Sequence, residues 1–349
     1  MLCFSEWIGI TMPDHSLLSV PSEPGMTGIL YIAGWGRSGS TIIGNILDQL
    51  PGVFHGGEIW YVWEQGLLED RLCGCGNPFS RCEVWQAVMR RYTQLRNAAP
   101  DPAILMAMHR KFARTRGLLR PLLGLNAAGS TRERSEYMNE LSMLYDAIRY
   151  VTGARWIVDS SKTPIYGYWL SQLVGVQFKV MHLIRDPRAT GFSWLSKKYD
   201  PGAGRVMVRN SLWKNSALWV VWNLAIEKLW RKGGGGNGYQ RVYYSEFSHS
   251  PAQVINEIAD FLEIPLSPGF LVSSDRKLVL QATHTISGNP VRMKQENIQI
   301  RYDDRWIHSM GRLKRMLVVM MTWPLLRRYG YPLRAGIRPR AGEVGSGDG

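Results

Sequence analysis

Between Gly28 and Leu50 the chain reads GILYIAGWGRSGSTIIGNILDQL: an apolar run, a glycine-rich turn and an amphipathic stretch in direct succession. No other feature restricts the fold as much. "GILYIAG" (Gly28–Gly34) is apolar throughout and ends in glycine, the pattern of a parallel strand buried on both faces. Ile42, Ile43, Ile46, Leu47 and Leu50 then recur at helical spacing until Pro51-Gly52 stops the helix. A strand that passes through such a turn into a helix N-terminus gathers backbone N–H groups around an anion. Gly34 and Gly39 have the separation of the two glycines of a Walker A phosphate loop, yet Ser40 stands where the lysine belongs. Arg37 brings a positive charge three residues earlier, and Ser38, Ser40 and Thr41 add hydroxyl donors. The loop is either a damaged triphosphatase loop or an intact loop for a different anion.

The strand–helix alternation recurs. "ARWIVDS" (Ala154–Ser160) runs into "TPIYGYWLSQLV", and "QFKVMHLIRD" (Gln177–Asp186) runs into "PRATGFSWLSKK". "YQRVYYS" (Tyr239–Ser245) follows the glycine run Gly233–Gly236 and precedes "SPAQVINEIADFL". The pattern predicts an α/β fold with a central parallel sheet flanked by helices. Residues from about 83 to 150 read as a helical insert broken at Pro100–Pro102 and at "GLLRPLLGLNAAGS". Residues 1–27 read as an irregular leader, 28–333 as the domain, and 334–349 as a polar, mobile tail. "MLVVMMTWPLL" (Met316–Leu326), the longest apolar candidate, is too short for a membrane span and is expected to form a buried C-terminal helix. The first residues lack a basic n-region and carry Glu6, so a soluble, cytoplasmic protein is expected.

Among 349 residues, 42 are Lys or Arg against 28 Asp or Glu, a formal charge of +14. That surplus calls for an anionic partner: nucleic acid, an acidic membrane surface or a highly charged small molecule. No helix-turn-helix, RNP or zinc-finger pattern is present, so no specific nucleic acid is expected. A non-enzymatic basic binder of nucleic acid or acidic glycan stays open as an alternative. Three of the four cysteines, Cys73, Cys75 and Cys82, fall in "CGCGNPFSRC". The run could hold a metal or one disulfide, but the second ligand pair of common zinc sites is not evident. A structural loop without a metal is therefore the expectation.

"HLIRDPRATGFSW" (His182–Trp194) is the second informative stretch. Arg185 closes a strand, Asp186 suits an N-cap and Pro187 the first helical position. Ser193 lies about two turns further on. An arginine at the C-terminal edge of a parallel strand is where open α/β sheets bind ligands. The plainer alternative is a helix start with Arg185 paired to a surface carboxylate. His182, inside an apolar strand, reads as a core histidine.

"GRSGST" followed by "LIRDPRATGFSW" resembles the two nucleotide-binding motifs of sulfotransferases that use 3′-phosphoadenosine 5′-phosphosulfate (PAPS). The resemblance extends from about Gly28 to Leu333, and "CGCGNPFSRCEVW", "VDSSKTP" and "HTISGNPVRMKQENIQIRYDDRW" resemble the bacterial branch. It implies that Gly36, Arg37, Ser38, Gly39, Ser40 and Thr41 hold the 5′-phosphosulfate and that Arg185 and Ser193 clamp the 3′-phosphate. It further implies that Tyr244 lies near the nucleotide. Asn289 and Arg292 of "GNPVR" would cover it. The product would be 3′,5′-adenosine bisphosphate. With no γ-phosphate to bind, neither a loop lysine nor a metal is needed.

Arg37 would then support charge on the leaving oxygen, and Lys162 of "DSSKTP" would touch the sulfuryl group. "VFHGGEIW" offers two candidate bases: Glu58, favoured by resemblance to protein-tyrosine sulfotransferases, and His55, whose ordinary pKa lies near neutrality. The main rival is a P-loop nucleoside or nucleotide kinase with Asp159 of "WIVDS" on Mg²⁺. The acceptor (a phenol, sugar, lipid or other small-molecule hydroxyl) and the oligomeric state are left open by the sequence.

Overall fold

Thr27–Gly34 forms strand β1, buried along its whole length, and its two faces enter two different cores. Ile29, Tyr31 and Ala33 belong to one, Leu30 and Ile32 to the other, as the two-residue period of a strand requires. The computed structural model describes residues 26–127, 129–231, 238–266, 277–293, 297–300, 302–334 and 336. Most of the expected leader and tail, and the Gly233–Gly236 run, lie outside the described residues.

Helix α1 (Ser40–Leu47) and strand β2 (Val53–Gly57) follow β1. The helical insert contains α2 (Glu83–Arg96), α3 (Pro102–Phe112), the short α4 (Leu119–Leu122) and α5 (Thr131–Thr152). Ser130 and Glu133 close a capping box at the start of α5. Trp85, Tyr92, Leu141 and Tyr145 from the insert fill the core on the Ile29–Tyr31 face. The chain continues through β3 (Trp156–Lys162), α6 (Pro164–Leu170), β4 (Val176–Ile184) and α7 (Pro187–Leu195). A small hairpin, β5 (Tyr199–Asp200) and β6 (Arg205–Val206), precedes α8 (Leu212–Ile226). Strand β7 (Tyr239–Tyr243) leads into α9 (Tyr244–His249) and α10 (Pro251–Leu262). A two-stranded ribbon of β8 (Lys277–Val279) and β9 (Asn297–Gln299) comes next, then α11 (Arg305–Ser309) and α12 (Arg312–Arg328).

The main sheet has the order β2-β3-β1-β4-β7 with every pair parallel. After β1 the chain builds β2 and β3 on one side and then crosses to β4 and β7 on the other. The C-terminal ends of β1, β3 and β4 therefore meet where the winding direction changes, the place where such sheets leave a crevice for ligands. The expected fold class holds. Strand β2 was not anticipated, because "VFHGG" carries two glycines and no alternation, and it is an edge strand paired only with β3.

One expectation is corrected. Met316–Leu326 is helical but not buried: only Val318, Thr322, Leu325 and Leu326 of α12 are inside. Leu313, Met320 and Trp323 face outward, at 78%, 67% and 50% exposure. Among the described residues, no helix is long and apolar enough to cross a membrane.

Candidate active site

The turn between β1 and α1 is tightly determined. Arg37 adopts φ 66° and Gly39 φ 100°. A Cβ at Gly39 would lie 2.2 Å from the Tyr244 ring, so both space and backbone demand glycine there. Ser38 Oγ is buried and has no hydrogen-bond partner. An unsatisfied buried hydroxyl costs about 1–3 kcal/mol, and an anion seated in the loop would relieve it. The N–H groups of Ile42 and Ile43 donate to the Gly39 carbonyl and close the first turn of α1.

A lysine from another strand reaches Ser40 in space. Lys162, the last residue of β3, lies beside β1 in register with Ala33. Its ammonium donates to Ser40 Oγ at 3.3 Å, to Glu58 Oε1 at 2.8 Å and to the Ser160 carbonyl. Lys162 holds φ 67°, a left-handed conformation costly for a residue with a long side chain. Strand β2 delivers Glu58 one residue beyond its end. A carboxylate and the Ser40 hydroxyl thus share one ammonium, with the ion pair mostly shielded from solvent.

Arg185 follows β4 directly. Its Nη1 donates to the Arg37 carbonyl at 2.9 Å, its Nη2 reaches Asp303 Oδ2 at 3.2 Å, and its guanidinium lies 4.5 Å from the Tyr244 ring centroid. This arginine is therefore ion-paired to Asp303 and at the same time braces the backbone of the phosphate loop. Asp186 caps α7 by accepting from the Arg188 N–H and clasps the Arg188 guanidinium. Two turns along, the Ser193 hydroxyl accepts from Lys198 Nζ at 3.3 Å. Burial and the neighbouring Arg37 and Arg185 charges push the Lys198 ammonium down to about 8, against the pull of Asp303. Lys198 was missed in the sequence. The dibasic Lys197-Lys198 just beyond Ser193 was the available signal, and only the fold shows which lysine turns inward.

Arg37 lies with its guanidinium 5.0 Å from the Trp194 ring centroid and its Nη2 3.2 Å from Met207 Sδ. Tyr244 begins α9 rather than ending its strand, and its ring fills the gap between Gly39 and Arg185. The neighbouring Tyr243 packs against Tyr331 instead. The Asn289 N–H donates to Thr41 Oγ1 at 3.2 Å, which sets the late loop against the phosphate loop, while its side-chain oxygen accepts from the Val291 N–H.

Three side chains have other occupations than the sequence suggested. His55 is fully buried, its ring nitrogens facing Asn45 Oδ1 and Ser160 Oγ at 3.1 and 3.2 Å. Burial and the Lys162 charge push it down to about 3. It packs so closely on α1 that a Cβ at Gly44 would meet its ring at 2.3 Å. His55 is a core histidine, as is His182, which is held by Tyr239 and Asn223. Arg292, 3% exposed, donates to the carbonyls of Thr285 and Leu72, so it ties loops together rather than offering its fork to a ligand. Asp159 receives Tyr145 on one oxygen and the Ser161 N–H and hydroxyl on the other, in the interior of the sheet. Burial pushes it up to about 6. It is not placed as a magnesium ligand, which removes the kinase reading's main support.

Residues 30–268 match the sulfotransferase family model. No curated protein gives a significant match. Among solved structures, the sulfotransferase domain from the curacin biosynthetic pathway aligns with a TM-score of 0.50 at 15% identity, covering 88% of this chain and 99% of that one. The sulfotransferase domain of the Synechococcus PCC 7002 olefin synthase gives 0.46 at 18% identity, covering 88% and 97%. A sulfotransferase from Mycobacterium avium gives 0.45 at 12% identity, covering 91% and 79%. The family match spans well over half of the chain and includes the phosphate loop, Lys162 and the Arg185–Ser193 motif. The chain belongs to the sulfotransferase family.

Proposed function

We propose that the protein moves the sulfuryl group of PAPS to a hydroxyl of a small-molecule, sugar or lipid acceptor. The observation that carries this reading is the placement of two cationic clusters at one sheet edge. Lys162 stands with Ser40 at the phosphate loop, Lys198 donates to Ser193 and feels the charge of Arg185, and Tyr244 lies between the loop and Arg185. A nucleotide phosphorylated at both ends of its ribose has the matching pair of anions.

In this proposal the loop amides and the hydroxyls of Ser38, Ser40 and Thr41 hold the 5′-phosphosulfate. Arg185, Ser193 and Lys198 hold the 3′-phosphate. The acceptor oxygen bonds to sulfur as the bond from sulfur to the bridging oxygen breaks, and the electron pair leaves with the 5′-phosphate. Glu58 takes the acceptor proton. Lys162 and Arg37 offset the charge that grows on the departing oxygen, as cations do in phosphoryl transfer. The ion pair with Lys162 also keeps Glu58 beside the loop hydroxyl that marks the reacting end.

Titration calorimetry with 3′,5′-adenosine bisphosphate, without magnesium, tests this directly. One saturable site is expected, and Arg185→Ala should bind about 10- to 100-fold more weakly, the effect of one lost charge-assisted hydrogen bond. A preference for magnesium–ATP would favour a kinase instead.

Lys198 adds a pH signature. Its native pKa is depressed to about 8, and a bound phosphate would favour its charged form. The complex then holds more protons than the free protein above pH about 8, so affinity should fall as pH rises through that region. Lys198→Met should flatten this slope. A wild-type affinity constant from pH 7 to 9 would exclude Lys198 from the phosphate site.

A further inference from the structure

We propose that Cys73, Cys75, Cys82 and His284 bind one structural zinc ion, and that this ion clamps the late loop onto the donor site. The four ligand atoms lie within 4.8 Å of one another, with Cys82 Sγ 3.2 Å from His284 Nδ1. Tetrahedral zinc with Zn–S near 2.3 Å sets sulfur atoms about 3.8 Å apart, so ligand atoms that all lie within 4.8 Å of one another are close to that geometry. The three sulfurs are unpaired by disulfides in this fold. Three thiolates and one imidazole make a closed donor set, the kind that holds zinc without leaving a position for catalysis.

The local backbone is arranged to bring these ligands together. Leu72 and Pro78 form an antiparallel bridge, and the Cys73 N–H donates to the Asn77 carbonyl, so Cys73 and Cys75 sit on a tight hairpin. Gly76, at φ 91°, turns it. Cys82 is the N-cap of α2, where the helix end favours a thiolate. His284 arrives from two hundred residues away. Its carbonyl accepts from Trp85 Nε1 at 2.7 Å, and the Gly74 N–H donates to the next carbonyl, that of Thr285. A Cβ at Gly74 would lie 2.5 Å from Thr285 Oγ1, so glycine permits this approach. The sequence run showed only three ligands, and no spacing rule could point to the fourth.

The tetrad has a mechanical consequence. Residues 283–286 continue into Gly288 and Asn289, which rest on Thr41 of the phosphate loop. Arg292 binds both sides of the same junction, at Leu72 and Thr285, and the Ile286 N–H donates to the Gly56 carbonyl two residues before Glu58. Zinc would make this junction rigid. The clamp, unlike the ion, rests on the proposed donor site.

The test uses the full chain purified without chelator. One zinc per chain by elemental analysis is expected, released when the thiols are modified. Cobalt(II) added to zinc-depleted protein should give intense tetrahedral d–d bands and thiolate charge-transfer bands. His284→Gln should weaken both, and where that variant fails to fold the wild-type cobalt spectrum decides. Zinc depletion should weaken 3′,5′-adenosine bisphosphate binding by about 10-fold or more, restored by added zinc. Substoichiometric metal with no cobalt spectrum, or a disulfide among Cys73, Cys75 and Cys82 in unreduced peptides, overturns the site. One zinc per chain with bisphosphate affinity unchanged by depletion overturns the clamp. Absence of bisphosphate binding in zinc-loaded protein counts against the donor site and leaves the metal stoichiometry standing.

Discussion

Lys162→Met is expected to lower kcat by about 10²–10³ while changing bisphosphate affinity less than about tenfold. The asymmetry follows from where the ammonium stands. It donates to Ser40 Oγ and pairs with Glu58, both at the loop end of the site. In the proposed transfer the charge it would meet there grows as the bridging oxygen departs, so its contribution would be larger in the transition state than in the bound ground state. Two opposite unit charges about 4 Å apart interact by about 4 kcal/mol at an effective dielectric near 20, enough for the upper end of that range. Methionine keeps the length and apolar stem, so the strand end should remain packed. Lys162→Arg should recover little, because a planar fork does not replace a compact ammonium that serves three acceptors at once. Steady-state kinetics resolved into kcat and KM, with bisphosphate titrations alongside, provide the check. Turnover within a few-fold of wild type would remove Lys162 from the reaction.

The second large effect is that of Glu58→Gln, with kcat expected to fall by about 10²–10⁴. The amide keeps the shape and can still accept from Lys162, but it cannot take a proton. The loss should appear at every pH, because the variant has no carboxylate to take the acceptor proton. His55 provides the contrast. It has no exposure, and its two ring nitrogens are occupied by Asn45 and Ser160. Substituting it should lower stability, and activity only in proportion to the folded fraction. Turnover that Glu58→Gln leaves within a few-fold of wild type would assign the base elsewhere.

The parts legible in the sequence were those encoded by neighbours in the chain. Strand, glycine turn and helix from Thr27 to Leu47 are continuous, and Asp186, Pro187 and the Arg185–Ser193 separation lie within one strand end and one helix. The rest depends on which strands become neighbours. Lys162 meets Ser40 because β3 lies against β1, and nothing in "DSSKTP" states that pairing. His55 and Glu58 are three residues apart, and only the resemblance favoured Glu58 as the base. A strand ending at Gly57 sends the first into the core and leaves the second at the rim. Arg292 was read as a ligand contact because its surroundings resemble a family loop, yet the carbonyls of Thr285 and the distant Leu72 already take its two terminal nitrogens. Long-range burial and backbone partners leave no local trace, whereas caps, turns and periodicity do.

The most direct measurement is a crystal structure of the complex with 3′,5′-adenosine bisphosphate. The 5′-phosphate is expected within hydrogen-bonding distance of the loop amides and Ser38 Oγ, on the Lys162 side. The 3′-phosphate is expected against Arg185, Ser193 and Lys198. Clear density for the compound with either phosphate away from its cluster, or lodged at another surface, would contradict the reading.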